Sequence, residues 1–253
     1  MDSNVGENPY IRYMNTKTDA VRERVHASSV DPVTGTQTNN ETRVAPPIIP
    51  IRSLGEHHRA QILSHLLELD EHDRYLRFGF IAKDEHIARY VEGLNFEFDE
   101  VFGITNRKLA LIAVAHLAYS PDDRRRNCAE FGVSVAKGAR GRGYGARLFE
   151  RAAMDARNNG VSLMFIHALS ENSAMLGIAR KAGAVLERHG SETEAYLRLP
   201  PASLNSHMTE IVEDHYAQLD YRLKAQSKQF HNMLAAFKAL HHSWPMGGAK
   251  RPD

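Results

Sequence analysis

The sequence predicts an α/β (α+β) body at residues 49–200, set between a polar N-terminal arm (1–48) and a helical C-terminal tail (201–253). Three observations predict it. Helical and strand periods alternate between Ile48 and Pro200, one glycine-rich turn leads from a strand directly into a helix, and the composition changes on both sides of that stretch.

Ile49 to Ile51 reads as a short first strand. From Leu54 to Leu69, Ile62, Leu63, Leu66 and Leu67 recur at helical spacing, so a helix is expected there. A second helix covers Asp84 to Gly93, with Ile87, Tyr90 and Val91 on one face. Val101–Thr105 and Leu109–Tyr119 read as strands of a hairpin turned by Asn106-Arg107-Lys108. After a charged turn at Asp122–Asn127, Cys128–Val135 forms the next strand. A helix from about Gly145 to Asn159 follows the glycine loop and stops at Gly160. Val161–Ala168 is an apolar run of strand length, Asn172–Lys181 a helix ended by Gly183, and Ala184–Leu199 a hairpin turning near His189-Gly190-Ser191.

The flanks read differently. Between Ala27 and Asn40 only three side chains are apolar, too little surface to offset the entropy of ordering, so the arm is expected to be disordered. In the tail, Val212, Tyr216, Leu219, Leu223, Gln226, Phe230, Met233, Phe237 and Leu240 keep 4,3 spacing. That seam suits a coiled coil, with a homodimer through residues 212–240, or equally a single helix laid on the body.

Charge and cysteine content narrow the function. The 32 Lys and Arg residues face 31 Asp and Glu, so the chain lacks the basic excess of a nucleic-acid binder. No apolar run approaches the ~20 residues of a membrane helix, and the N-terminus has no export signal. The lone Cys128 allows no internal disulfide and no metal spacing, which favours the reducing cytoplasm. His57-His58 and His241-His242 read as solvent-facing histidines, since no partner stands at metal-ligand spacing, and no metal site is expected. Cys128 itself reads as buried.

The stretch Phe131 to Gly145 carries the chemistry. Glycines let a phosphate approach the backbone, and the free amides of a helix N-terminus attract anions. Lys137, Arg140, Arg142 and Arg147 add four cations, with no acid from 131 to 147. A phosphate-bearing ligand is the direct inference. A P-loop would need Gly-Lys-Ser/Thr where Gly143-Tyr144-Gly145 stands, and a dinucleotide fingerprint would need an acid near Ile166-His167-Ala168-Leu169. Neither fits.

Arg140-Gly141-Arg142-Gly143-Tyr144-Gly145 matches R/Q-x-x-G-x-G/A, and some 30 residues on, Asn172-Ser173-Ala174-Met175 with Ile178-Ala179-Arg180-Lys181-Ala182-Gly183-Ala184 resembles N-x-x-M-x-x-L-Y-x-K-x-G-F. In that order these motifs resemble the GNAT superfamily of N-acetyltransferases over about residues 49–199. Ala129–Val135 and the segment Leu69 to Phe78, with its R-Y-L-R-F run, also look like the acetyltransferase domain of bacterial protein-lysine acetyltransferases. The resemblance implies a mixed, mostly antiparallel sheet flanked by helices, whose fourth and fifth strands splay to admit acetyl-CoA. It implies that Val133, Ser134 and Val135 meet the pantetheine through their backbone. Arg140, Gly141, Arg142, Gly143, Tyr144 and Gly145 would cradle the pyrophosphate, with Asn172 near the reactive end.

Acetyl transfer to an amine needs a proton acceptor for the nucleophile. Glu130 shares one strand face with Gly132 and Ser134, and related enzymes often use a Glu at a comparable place. It reads either as general base or as a structural carboxylate. His167 reads as a hydrogen-bonded core histidine or as a group approaching the substrate. Family members often protonate the leaving thiolate with a Tyr where this chain has Ala179, so either Tyr144, Tyr196, Ser173 or water takes that part, or the thiolate leaves without an acid. The expected activity is N-acetyl transfer from acetyl-CoA to an amine, protein lysine or small molecule, in a ternary complex. The alternative is a non-catalytic acyl-CoA sensor or assembly module.

Overall fold

The computed structural model describes residues 49–119 and 127–202, together with 209, 217 and 218. The arm, most of the charged turn and the heptad seam lie outside the described residues.

Seven strands form one sheet in the order β1-β2-β3-β4-β5-β7-β6. They are β1 (Arg52–Ser53), β2 (Glu100–Thr105), β3 (Leu111–Tyr119), β4 (Cys128–Val135), β5 (Leu163–Leu169), β6 (Val185–His189) and β7 (Glu192–Arg198). Every neighbouring pair is antiparallel except β4 with β5. Five α-helices flank the sheet: α1 (Arg59–Leu67), α2 (Glu71–Phe78), α3 (Asp84–Glu92), α4 (Tyr144–Asn158) and α5 (Ser173–Lys181).

Alternation along the strands builds two cores. Phe102, Ala115, Phe131, Met164 and Ile166 point to one face, where Leu148, Phe149, Ala152 and Ala156 of α4 meet them, with Met175, Leu176 and Ala179 of α5. Val101, Leu111 and Val114 point to the other, beneath Ile62 and Leu66 of α1, Phe78 of α2 and Ile87, Tyr90 and Val91 of α3. The second face of β4 therefore looks at α1–α3, which brings Glu130, Gly132 and Ser134 under those helices.

Three expectations are corrected. The first strand is Arg52–Ser53, not Ile49–Ile51, because register with Gly103 and Phe102 of β2 decides it, while Ile51 is spent on core burial. His58 is buried rather than solvent-facing: its ring accepts the Gly55 N–H at 3.1 Å, and burial pushes its pKa down to about 4. Helix α2 has no counterpart among the expected elements. Asp70 caps it, taking the Asp73 N–H at 2.9 Å, and Gly79 ends it in the left-handed conformation at φ 79°.

Candidate active site

The parallel neighbours β4 and β5 pair only from Cys128–Leu163 to Glu130–Phe165. β4 nevertheless runs on to Val135 and β5 to Leu169. Beyond Glu130 the pairing stops, and a cleft of about 390 Å³ lies along the free end of β4. Its walls are Val133, Ser134 and Val135 of β4, the loop from Ala139 into α4, Asp73, Leu76 and Arg77 of α2, and Asn172, Met175 and Ile178 at α5. A volume of that size suits an extended organic ligand.

One end of the cleft is a glycine cradle. Gly141 and Gly143 sit at φ 75° and 77°, a conformation costly for residues with a Cβ. No atom lies within 4 Å of where a Cβ would stand at either, so their backbone is open to a ligand. Gly143 is the N-cap of α4, and the first amides of that helix have no acceptor within it. Gly145 serves packing as well, since a Cβ there would lie 3.2 Å from Ile178 Cδ1. The residues present therefore fit a ligand carrying phosphates.

Three of the four cations around the cradle are already engaged. Arg140 forms an ion pair with Asp73 and donates from Nε to the Val135 carbonyl at 3.3 Å. Lys137 Nζ lies 3.5 Å from Asp70 Oδ2, and Arg147 pairs with Glu150 at 3.1 Å. The Lys137 ammonium and the Asp73 N–H keep the Asp70 carboxyl below its usual range, the backbone bond contributing most. Arg142 is exposed and is not part of the cleft wall. Of the expected ligand-holding residues, Val133, Ser134, Val135, Arg140, Gly141, Gly143, Tyr144, Gly145 and Asn172 thus line one cavity.

Side-chain bonds fix several of these residues. Asn172 caps α5 through the Met175 N–H at 3.1 Å and reaches the Leu76 carbonyl of α2 at 3.5 Å. His65 Nδ1 lies 3.2 Å from the Leu111 carbonyl, which can only accept. Its Nε2 is therefore the acceptor for the Ser134 hydroxyl, at 2.9 Å. Burial lowers the His65 pKa and keeps that ring neutral.

Glu130 stands where the pairing stops, just outside the cleft wall. It is half-buried; partial removal from water pushes its pKa up to about 8, while the nearby Arg77 guanidinium pulls the other way. Arg77 donates to Tyr90 Oη at 2.8 Å, Tyr90 lies 2.8 Å from His116 Nδ1, and His116 Nε2 lies 3.1 Å from Asp99 Oδ2. Burial raises the Tyr90 pKa, so the phenol stays protonated. Sequence reasoning missed Arg77, Asp73 and this chain of contacts, although a glycine inside an apolar strand (Gly132) signals close approach of another group. On the same sheet face, His167 Nδ1 is 4.0 Å from Glu194 Oε1. Ala179 is fully buried in the core and adds nothing to the cleft. Among the described residues no three His, Cys, Asp or Glu side chains gather as a metal site, and no helix is long and apolar enough to cross a membrane.

Comparison with known proteins adds three findings. The model of the acetyltransferase (GNAT) family matches residues 55–184, just over half of the chain. No curated protein sequence matches. Among solved structures, the GNAT domain of PAT from S. lividans superposes with a TM-score of 0.52 at 18% identity, over 60% of this chain and 94% of that one. A protein from Salmonella typhimurium, solved with its cofactor acetyl-CoA, gives 0.48 at 16% identity, over 61% and 96%. Ribosomal-protein-alanine N-acetyltransferase from Brucella melitensis gives 0.48 at 19%, over 59% and 99%.

Proposed function

Because the chain belongs to the GNAT family of acetyltransferases, we propose that it moves an acetyl group from acetyl-CoA to an amine by direct attack in a ternary complex. The acceptor is a protein lysine or a small-molecule amine. The observation that carries this reading is the cleft along the unpaired end of β4, which ends in the Gly141–Gly145 cradle, with Glu130 at the last β4–β5 pair just outside its wall.

Acetyl-CoA supplies an activated acyl group as a thioester. Backbone groups of Val133, Ser134 and Val135 face the gap and hold the pantetheine arm. Arg140, Gly141, Gly143, Tyr144 and Gly145 hold the pyrophosphate, with Arg142 adding charge from outside the wall, and Asn172 borders the reactive end. Glu130 takes the proton that the amine sheds as its nitrogen bonds to the acyl carbon, which frees the sulfur. A carboxyl with a pKa of about 8 is a matched base in mildly alkaline solution. Ala179 supplies no proton for the departing sulfur, and the Tyr196 hydroxyl is committed to Glu187 at 2.6 Å. Ser173 is exposed and outside the cleft wall, which leaves Tyr144, in that wall, or water, or a thiolate that departs without an acid.

Residues 49–200 are the transferring unit on this reading, and the seam at 212–240 pairs two copies. The lone, buried Cys128 suits the cytoplasm. A second reading, a non-catalytic acyl-CoA sensor, is favoured by Ala179. Glu130→Gln separates the roles of the carboxylate: turnover falls about 100-fold or more while acetyl-CoA affinity holds. Unchanged turnover removes Glu130 from the chemistry.

A further inference from the structure

We propose that Arg77 is the positioning residue of this site: its guanidinium, seated on the bare backbone of Gly132 and tethered through Tyr90 and His116 to Asp99, favours the ionised, proton-accepting form of Glu130. This rests on the reading of Glu130 as general base.

The geometry is specific. A Cβ built on Gly132 would come within 2.8 Å of the Arg77 guanidinium carbon and 2.8 Å of Nη2. Glycine at this strand position therefore makes room for a flat cation on the backbone two residues beyond Glu130. Arg77 cannot accept a hydrogen bond, so the Tyr90 oxygen is the acceptor at 2.8 Å; with a neutral His116 whose Nε2–H faces Asp99, Nδ1 accepts the phenol proton. His116 Nε2–H then donates to Asp99 Oδ2 at 3.1 Å, and Asp99 Oδ1 also accepts the Tyr119 N–H at 3.2 Å. All donors run one way, from Arg77 to the anchored Asp99 carboxylate. The His116 and Asp99 side chains are only 11% and 8% exposed, so this arrangement is held in a poorly screened interior.

The charged and titratable groups that face Glu130 come from several elements. They are Arg77 of α2, Tyr90 of α3 and His116 of β3, which stands opposite Gly132. Across the sheet, β5 places apolar Phe165 directly beside Glu130, with His167 two residues further on. Arg77 is the cation among them that offsets the burial of Glu130. Unlike a lysine ammonium, its planar fork can lie on the strand and bond Tyr90 from its edge.

The test is the pH dependence of kcat/KM for amine acetylation by the full chain, for wild type, Arg77→Gln, Gly132→Ala and Glu130→Gln. Arg77→Gln moves the midpoint of the acid limb up by about one pH unit or more, so activity near neutrality falls about tenfold and returns in alkaline solution. Gly132→Ala displaces only the end of a flexible side chain and keeps every charge. It moves the midpoint in the same direction by less, and carries the test if Arg77→Gln does not fold. A midpoint that stays fixed in the folded variants while Glu130→Gln abolishes turnover overturns the role of Arg77 alone. Full activity of Glu130→Gln overturns the base, and the proposal for Arg77 with it.

Discussion

Asp73→Asn should tighten acetyl-CoA binding. Asp73 holds Arg140, a cation of the cradle, so a pyrophosphate must compete with a carboxylate for it. Two unit charges about 4 Å apart attract by about 4 kcal/mol at an effective dielectric near 20, yet exposed ion pairs measure about 0.2–1 kcal/mol. The Asp73 side chain is 8% exposed but that of Arg140 is 44% exposed, so water reaches one partner and the value belongs near the top of the measured range. Taking about 1 kcal/mol, the dissociation constant should fall about fivefold. Isothermal titration of acetyl-CoA into both proteins at low salt reads this directly, and raised salt should shrink the difference. Asp73 also sits in the first turn of α2, where an acid favours the helix by about 0.3–1 kcal/mol, so thermal unfolding is followed in parallel. An affinity that is unchanged or weaker in a folded Asp73→Asn protein refutes the competition.

Other expectations follow from local geometry. Gly143→Ala forces a Cβ into a left-handed position at φ 77° and into the open cradle, which should cost about 1–2 kcal/mol in urea unfolding and weaken acetyl-CoA binding; a neutral variant contradicts the assignment. His58, with a folded pKa of about 4 against 6.5, binds its proton more readily in the unfolded chain. Stability should thus rise with pH across that window and fall as pH drops from 6.5 toward 4, His65 acting in the same direction. His58→Gln should flatten the slope of urea midpoints over that range, and an unchanged slope would sink the assignment. If the seam at 212–240 pairs two copies, light scattering on the full chain gives twice the monomer mass, and Leu219→Lys with Leu223→Lys halves it; a monomeric wild type removes the dimer.

Local patterns made much of the sheet legible. β4 runs over Cys128–Val135 as its apolar alternation says, and α4 and α5 start one residue after Gly143 and Asn172 and stop two residues before Gly160 and Gly183. The cradle was legible because glycines, cations and a helix start are all consecutive in sequence. Helix α2 was not: five of its eight residues are charged or His, so its period is hidden, although Asp70, Asp73 and Gly79 mark both ends. Nor could sequence disclose that Arg140 and Lys137 are held by Asp73 and Asp70, since those ion pairs depend on how α2 packs over the loop. The chain from Arg77 to Asp99 draws on α2, α3, β3 and the approach to β2. No single period in sequence could have linked them.

Release of free CoA thiol reads acetyl transfer to an amine without an intervening step. The full chain is incubated with acetyl-CoA and a panel of small amines and lysine peptides, with Glu130→Gln as the control. Acceptor-dependent thiol release is expected, abolished by Glu130→Gln without loss of acetyl-CoA binding. Tight acetyl-CoA binding with no release above background, for every acceptor, would contradict it and leave the protein a sensor.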